Sequence, residues 1–197
     1  FTLANETLTT AELIGRHAET VLTGTDAAGH ALTLGGRRND TLTALAGHAT
    51  FSGGRGNDVL TGNGGNNTYL YSLGDGTDSL ADTSAKTDAQ GAAQLNTLKV
   101  GAGVTAQDLH IRAAEGVLIL QIGADPDDAI HIQGFDPASQ TGALDRIEFS
   151  DGTTLTYAEL IARGSDILGT AGDDVLTGSV LHDRLIGGEG NDTYRLL

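Results

Sequence analysis

A nine-residue period constrains this chain more than any other feature of its sequence. Gly53 to Thr61 reads Gly-Gly-Arg-Gly-Asn-Asp-Val-Leu-Thr, and Gly187 to Arg195 reads Gly-Gly-Glu-Gly-Asn-Asp-Thr-Tyr-Arg. Both place glycine at the first, second and fourth positions, aspartate at the sixth and a large apolar residue at the eighth. Weaker copies lie in phase with them. Gly35 to Thr43 lacks only the third glycine and keeps Asp40 and Leu42. Ala44 to Ser52 has Ala49 in the acid position, and the copy from Gly62 has Asn67 there. In the second block, Gly169 to Thr177 carries Asp174 and Leu176, and Gly178 to Ile186 carries Asp183 and Leu185.

The spacing predicts a turn followed by a short strand. Glycine takes positive φ cheaply and permits close backbone approach, while Val59-Leu60-Thr61 suits a strand with Leu60 turned inward. One nine-mer is then half a coil, and turns eighteen residues apart stack on the same side. Such turns present backbone carbonyls, and the sixth position adds a carboxylate. Ca²⁺ takes six to eight oxygens in a flexible shell, whereas Mg²⁺ demands a tighter octahedron. The expected calcium ligands are the turn residues Gly35, Arg37, Gly53, Arg55, Asn57, Gly169, Ala171, Gly187 and Glu189. The acid-position side chains Asp40, Asp58, Asn67, Asp78, Asp174, Asp183 and Asp192 join them. Asp40 with Asp58, and Asp174 with Asp192, should each flank an ion, whereas Asp183 faces the other side. Ala49 and Asn67 offer no carboxylate, so their side should bind calcium weakly or not at all.

Charge agrees with a cation as partner. Twenty-six acidic residues face eleven basic ones, for a net −15. Nucleic acid and anionic membranes need Lys and Arg to displace counterions, so neither is an expected partner. Converging carboxylates oppose compaction until a counterion arrives, and the chain is expected to be largely unfolded without calcium. With no cysteine there are no disulfides, and a metal is the remaining staple. No apolar run is long enough to span a bilayer. Phe1 follows no signal-peptide pattern, and Tyr194 to Leu197 directly follow a repeat. Both ends are therefore expected to be cuts within a longer chain.

These residues resemble the RTX (repeat-in-toxin), or haemolysin-type calcium-binding, repeats. The resemblance covers about residues 35–80 and 169–195. It implies a parallel β-roll, type I export from a bacterium, an extracellular location and folding driven by external calcium. Tyr69 to Leu80 resembles the cap that follows such repeats and assigns Asp78 as a ligand over Asp58. The region around Asp151-Gly152-Thr153-Thr154-Leu155-Thr156 and the following helical stretch resembles the haemolysin-type calcium-binding-related segment found beside these repeats.

Between the blocks, the runs 95–100, 109–112, 117–122, 129–132 and 145–153 read as strands. Residues 157–162 read as a short helix with Thr156 as N-cap, and 82–94 as a polar surface loop. The segment Thr7 to Ile14 reappears at Thr154 to Ile161, so each roll is expected to follow the same helix. The fold is expected to be all-β: a parallel β-roll in two blocks, with an intervening antiparallel β region and short helices. Residues 1–16 should end a preceding flank and 17–80 form the first roll with its cap. Residues 81–163 should form a β-rich flank, and 164–197 a second, shorter roll.

Other chemistries find no support. Asp125, Asp127 and Asp128 lack the EF-hand spacing, because Ala129 breaks it, and read as a solvated acidic turn. None of the six histidines lies in His-Glu-x-x-His, and no Gly-x-Ser-x-Gly elbow is present. The expected function is a non-enzymatic, monomeric calcium-binding module of a larger secreted protein. The alternative is an adhesion or carbohydrate-binding module that calcium only stiffens, with a cell-surface or glycan partner. Low aromatic content (4%) and the absence of Trp weigh against the alternative.

Overall fold

A strand of three or four residues between glycine turns cannot bury its apolar side alone, so it needs neighbours above and below. The computed structural model describes residues 2–3, 6–7, 22–25, 30–44, 47–82, 93–114, 116–136 and 142–196. Strands β1 (Thr2–Leu3) and β2 (Glu6–Thr7) pair antiparallel on their own. The first block supplies β3 (Leu22–Thr25), β4 (Ala31–Leu34), β5 (Thr41–Thr43), β6 (Ala49–Ser52), β7 (Val59–Gly62), β8 (Thr68–Tyr71) and β9 (Thr77–Asp82). The middle supplies β10 (Thr97–Val100), β11 (Leu109–Ala114), β12 (Val117–Ile122), β13 (Ala129–Gln133), β14 (Arg146–Glu148) and β15 (Thr154–Thr156). Helix α1 (Tyr157–Ala162) follows, and then β16 (Ser165–Leu168), β17 (Val175–Thr177), β18 (Asp183–Ile186) and β19 (Thr193–Arg195).

Alternate strands fall on opposite walls, as the half-coil spacing requires. One wall is a seven-stranded sheet in the order β15-β14-β10-β8-β6-β4-β3, and the other a six-stranded sheet, β11-β12-β13-β9-β7-β5. Strands β4, β6 and β8 pair in parallel, as do β5, β7 and β9. Two apolar columns run through the walls. Thr33, Phe51, Tyr69, Leu98 and Ile147 stand in register on one, and Leu42, Leu60, Leu80, Ile132 and Leu118 on the other. The Phe51 and Tyr69 rings stack with centroids 5.1 Å apart.

The all-β parallel roll is thus present, but the middle segment is not a separate antiparallel layer. Strands β10, β13 and β14 join the first roll's walls in parallel, and within the middle segment β11-β12-β13 and β14-β15 pair antiparallel. The reason is the columns: Leu98, Ile147, Ile132 and Leu118 extend them beyond the last nine-mer, and a break would expose Tyr69 and Leu80. The second roll stands on the parallel pairs β16-β18 and β17-β19. Its apolar burial is poor, since Leu168 is 66% and Tyr194 52% exposed.

Helix α1 starts as its sequence indicates. Thr156 Oγ1 accepts the Glu159 N–H at 3.2 Å, and Glu159 Oε2 accepts the Thr156 N–H at 2.8 Å. The helix buries Tyr157, Leu160 and Ile161. Thr156→Ala should cost about 1 kcal/mol, read as a lower urea midpoint at saturating calcium. The matching helix expected within Thr7 to Ile14, whose residues 8–14 are not described, and most of the loop expected at 82–94 lie outside the described residues.

Candidate calcium sites

The acid positions form columns at the wall edges. The Asp40 N–H donates to Asp58 Oδ1 at 2.7 Å, and the Asp58 N–H to Asp78 Oδ1 at 3.0 Å. In the second roll, the Asp174 N–H donates to Asp192 Oδ1 at 3.1 Å. The first and third of these bonds link residues 18 apart, and the Asp58–Asp78 bond spans 20. A second ladder at the fifth position runs the other way. Asn39 Oδ1 accepts from the Asn57 N–H at 2.9 Å, and Asp173 Oδ1 from the Asn191 N–H at 2.7 Å.

Glycine lets these turns nest. At Gly54, φ is +84° and a Cβ would collide with the Gly36 carbonyl oxygen. A Cβ at Gly35 would strike the Gly53 carbonyl oxygen, and one at Gly53 the Asp58 carboxylate. Carbonyls of one turn therefore lie against the backbone of the next, beside the aspartate column.

One carboxylate oxygen is left over. Asp40 Oδ2 accepts the Gly36 N–H at 2.7 Å. Asp58 is 1% exposed, and its Oδ2 is buried with no partner. Burial, followed by the nearby Asp40 charge, pushes the Asp58 carboxyl above its ordinary range. Burial also raises Asp78 to about 8 and Asp75 to about 6, against hydrogen bonds that lower them. A carboxyl so buried stays charged only with a counterion beside it and otherwise takes up a proton. Among the described residues no three Asp, Glu or His side chains converge as an all-side-chain cage. What the stacked turns bring together instead is pairs of carboxylates beside turn carbonyls. That hard, flexible oxygen set suits Ca²⁺ and fits Mg²⁺ poorly.

The opposite column carries amides at two of its acid positions. It runs Ala49, Asn67, Asn96 and Asp145 by strand register. The ladder is the same: Ala49 N–H to Asn67 Oδ1 at 3.1 Å, Asn67 N–H to Asn96 Oδ1 at 3.0 Å, and Asn96 N–H to Asp145 Oδ2 at 2.8 Å. The second side-chain atom differs. Asn67 Nδ2 donates to the Gly64 carbonyl at 3.2 Å and to Asp82 Oδ2 at 2.8 Å. Asn96 Nδ2 donates to the Ala143 carbonyl at 2.9 Å. An amide N–H₂ thus satisfies the Gly64, Asp82 and Ala143 oxygens.

The remaining expected ligands are placed unevenly. Asp174 and Asp192 stack, both half-buried. Asp183 lies in the other sheet, in register with Ser165, and its oxygens are engaged by the Ser179 N–H and Oγ. Three residues escaped the sequence reading. Asn96 and Asp145 sit outside any nine-mer and carried no signal. Asp128, expected in a solvated turn, is 7% exposed and accepts the Gly74 N–H at 2.8 Å and the Tyr71 O–H at 3.2 Å. It is buried because β13 continues the wall beside β9. Its signal was an acid directly ahead of an apolar strand, as Asp58 is. Asp125 does form the expected turn, accepting the Asp127 N–H at 3.0 Å.

Comparison with known families agrees with this geometry. The model of the RTX calcium-binding nonapeptide repeat matches residues 34–69, 46–80 and 164–194. The two blocks are RTX calcium-binding repeats. The model of the haemolysin-type calcium binding protein related domain matches residues 118–159, which hold β12 to β15. The repeat matches in the first block stop at residue 80 and the second family's match begins at 118, and strands from the two regions share their sheets. No curated protein matches the chain.

Proposed function

We propose that this chain is a non-enzymatic calcium-binding module of a larger secreted bacterial protein, which folds around Ca²⁺ after export. The observation that carries the reading is the buried, unpartnered Asp58 Oδ2 within a column of aspartates. Calcium sits between stacked turns, held by Asp40, Asp58 and Asp78 in the first roll and by Asp174 and Asp192 in the second, with turn carbonyls completing each shell. Inside a cell, where calcium is scarce, carboxylate repulsion keeps the calcium-holding turns open, above all in the second roll with its sparse apolar burial; outside, the ion closes them. RTX repeats are typical of secreted bacterial proteins, which supports the location. Calorimetric titration with Ca²⁺ should give saturable binding with gained β signal in circular dichroism, and Mg²⁺ at equal concentration should give neither. Equal responses to the two ions would sink the reading.

The amide column offers a finer test. Asn67→Asp removes the donors to Gly64 and Asp82 and adds a buried charge beside Asp82. The calcium-free protein should lose about 1–3 kcal/mol, read by urea denaturation in chelator. Added calcium should recover the loss with an extra ion bound per chain. A loss that calcium does not repair would mean that the column cannot host the ion.

A further inference from the structure

The outer face of the six-stranded sheet carries two cross-strand rows that the calcium chemistry does not use. His110, Gln121 and Ala129 align in one, and Arg112, Ile119 and His131 in the next. Side chains at alternate strand positions share a face, so both rows look the same way. Strand β16 lies opposite, and the space between is a groove of about 350 Å³, within the size range of small-ligand sites.

In a chain of net charge −15, this groove is lined by one guanidinium, that of Arg112, and one carboxylate, that of Asp166. Its acid, Asp166, is neutralised by Arg184, whose Nε donates to Oδ1 at 2.8 Å and whose Nη2 donates to Oδ2. Arg112 and the His131 ring make no hydrogen bond or ion pair with any described residue. They flank Ile119, which is half-buried and gives an apolar seat between two polar arms. Gln121 Nε2 donates weakly to the Gly123 carbonyl at 3.3 Å, leaving its Oε1 to accept. An unpaired guanidinium calls for a carboxylate. The Gln121 acceptor in the neighbouring row calls for a hydroxyl donor on the same molecule.

We propose that this groove binds a carboxylate-bearing sugar residue. The carboxylate meets Arg112, the ring lies over Ile119, and hydroxyls meet His131 and Gln121. The site is independent of which turns hold calcium. Its test is an NMR titration of the calcium-loaded chain with methyl glucuronide, methyl glucoside and acetate. The uronide should shift the amides of Arg112, Ile119 and His131, with the other two binding about tenfold or more weaker. Arg112→Ala and His131→Ala should each weaken uronide binding while leaving the calcium-induced circular dichroism unchanged. The proposal is overturned if the uronide does not bind or shifts other residues. It is equally overturned if glucoside or acetate binds as well, or if Arg112→Ala binds undiminished.

Discussion

Asp58→Ala is expected to lower calcium affinity at least a hundredfold, while Asp183→Ala leaves it within about threefold. Asp58 stands between two turns, its Oδ1 holding the Asp40 N–H and its own N–H held by Asp78. It therefore borders two gaps. Removing one unit of charge about 4 Å from a cation costs on the order of 4 kcal/mol at an effective dielectric of 20. Asp183 has no carboxylate in register with it and is engaged by Ser179. Calorimetry on the two variants checks the ranking, and an equal or larger loss for Asp183→Ala would contradict it. Asp58→Asn separates binding from folding. Like Asn67, it keeps the ladder acceptor and turns the orphan oxygen into a donor. The calcium-free form should become more stable than wild type as calcium affinity falls, and a destabilised calcium-free Asp58→Asn would refute the idea that an amide replaces the ion.

In chelator, the second roll is expected to lose its hydrogen-exchange protection while the walls around β8, β10, β12 and β13 retain much of theirs. The first roll and the middle share one continuous apolar cluster, from Leu42 and Phe51 through Leu98 and Ile130 to Leu160. Among the described residues of the second roll, only Leu176 is a buried large apolar side chain. Apolar area sustains a fold without an ion, and the second roll has little of it. At calcium a hundred times its Kd, each site contributes about 2.7 kcal/mol, roughly a hundredfold in the opening equilibrium. Exchange measured by mass spectrometry on 165–195 and on 97–133 compares the two. The same protection with and without calcium in 165–195 would refute calcium-driven folding there. Loss everywhere would restore the simpler expectation from net charge, that the whole chain opens.

The nine-residue period by itself determined the coil. Positive-φ glycines at fixed places, an acid at the sixth position and an apolar residue at the eighth leave little else for such a chain to form. Stacking at eighteen follows from the period, because two turns and two strands close one circuit. The pairs Asp40–Asp58 and Asp174–Asp192, the choice of ion and the Thr156 cap were legible for the same local reasons. What ends the first roll was not. Leu98, Ile147, Ile132 and Leu118 lie in no repeat, yet they stand in the same columns as Phe51 and Leu60. Pairing between strands 29 and 49 residues apart is set by which apolar face remains uncovered, and no local pattern encodes that partner. The contrast between the columns was likewise decided in three dimensions. Asn67 read as a weakened acid, and only the fold brings its N–H₂ to the Gly64 carbonyl and the Asp82 carboxylate. Local rules fix a turn's shape; a polar atom's need for an ion depends on the neighbours that folding brings to it.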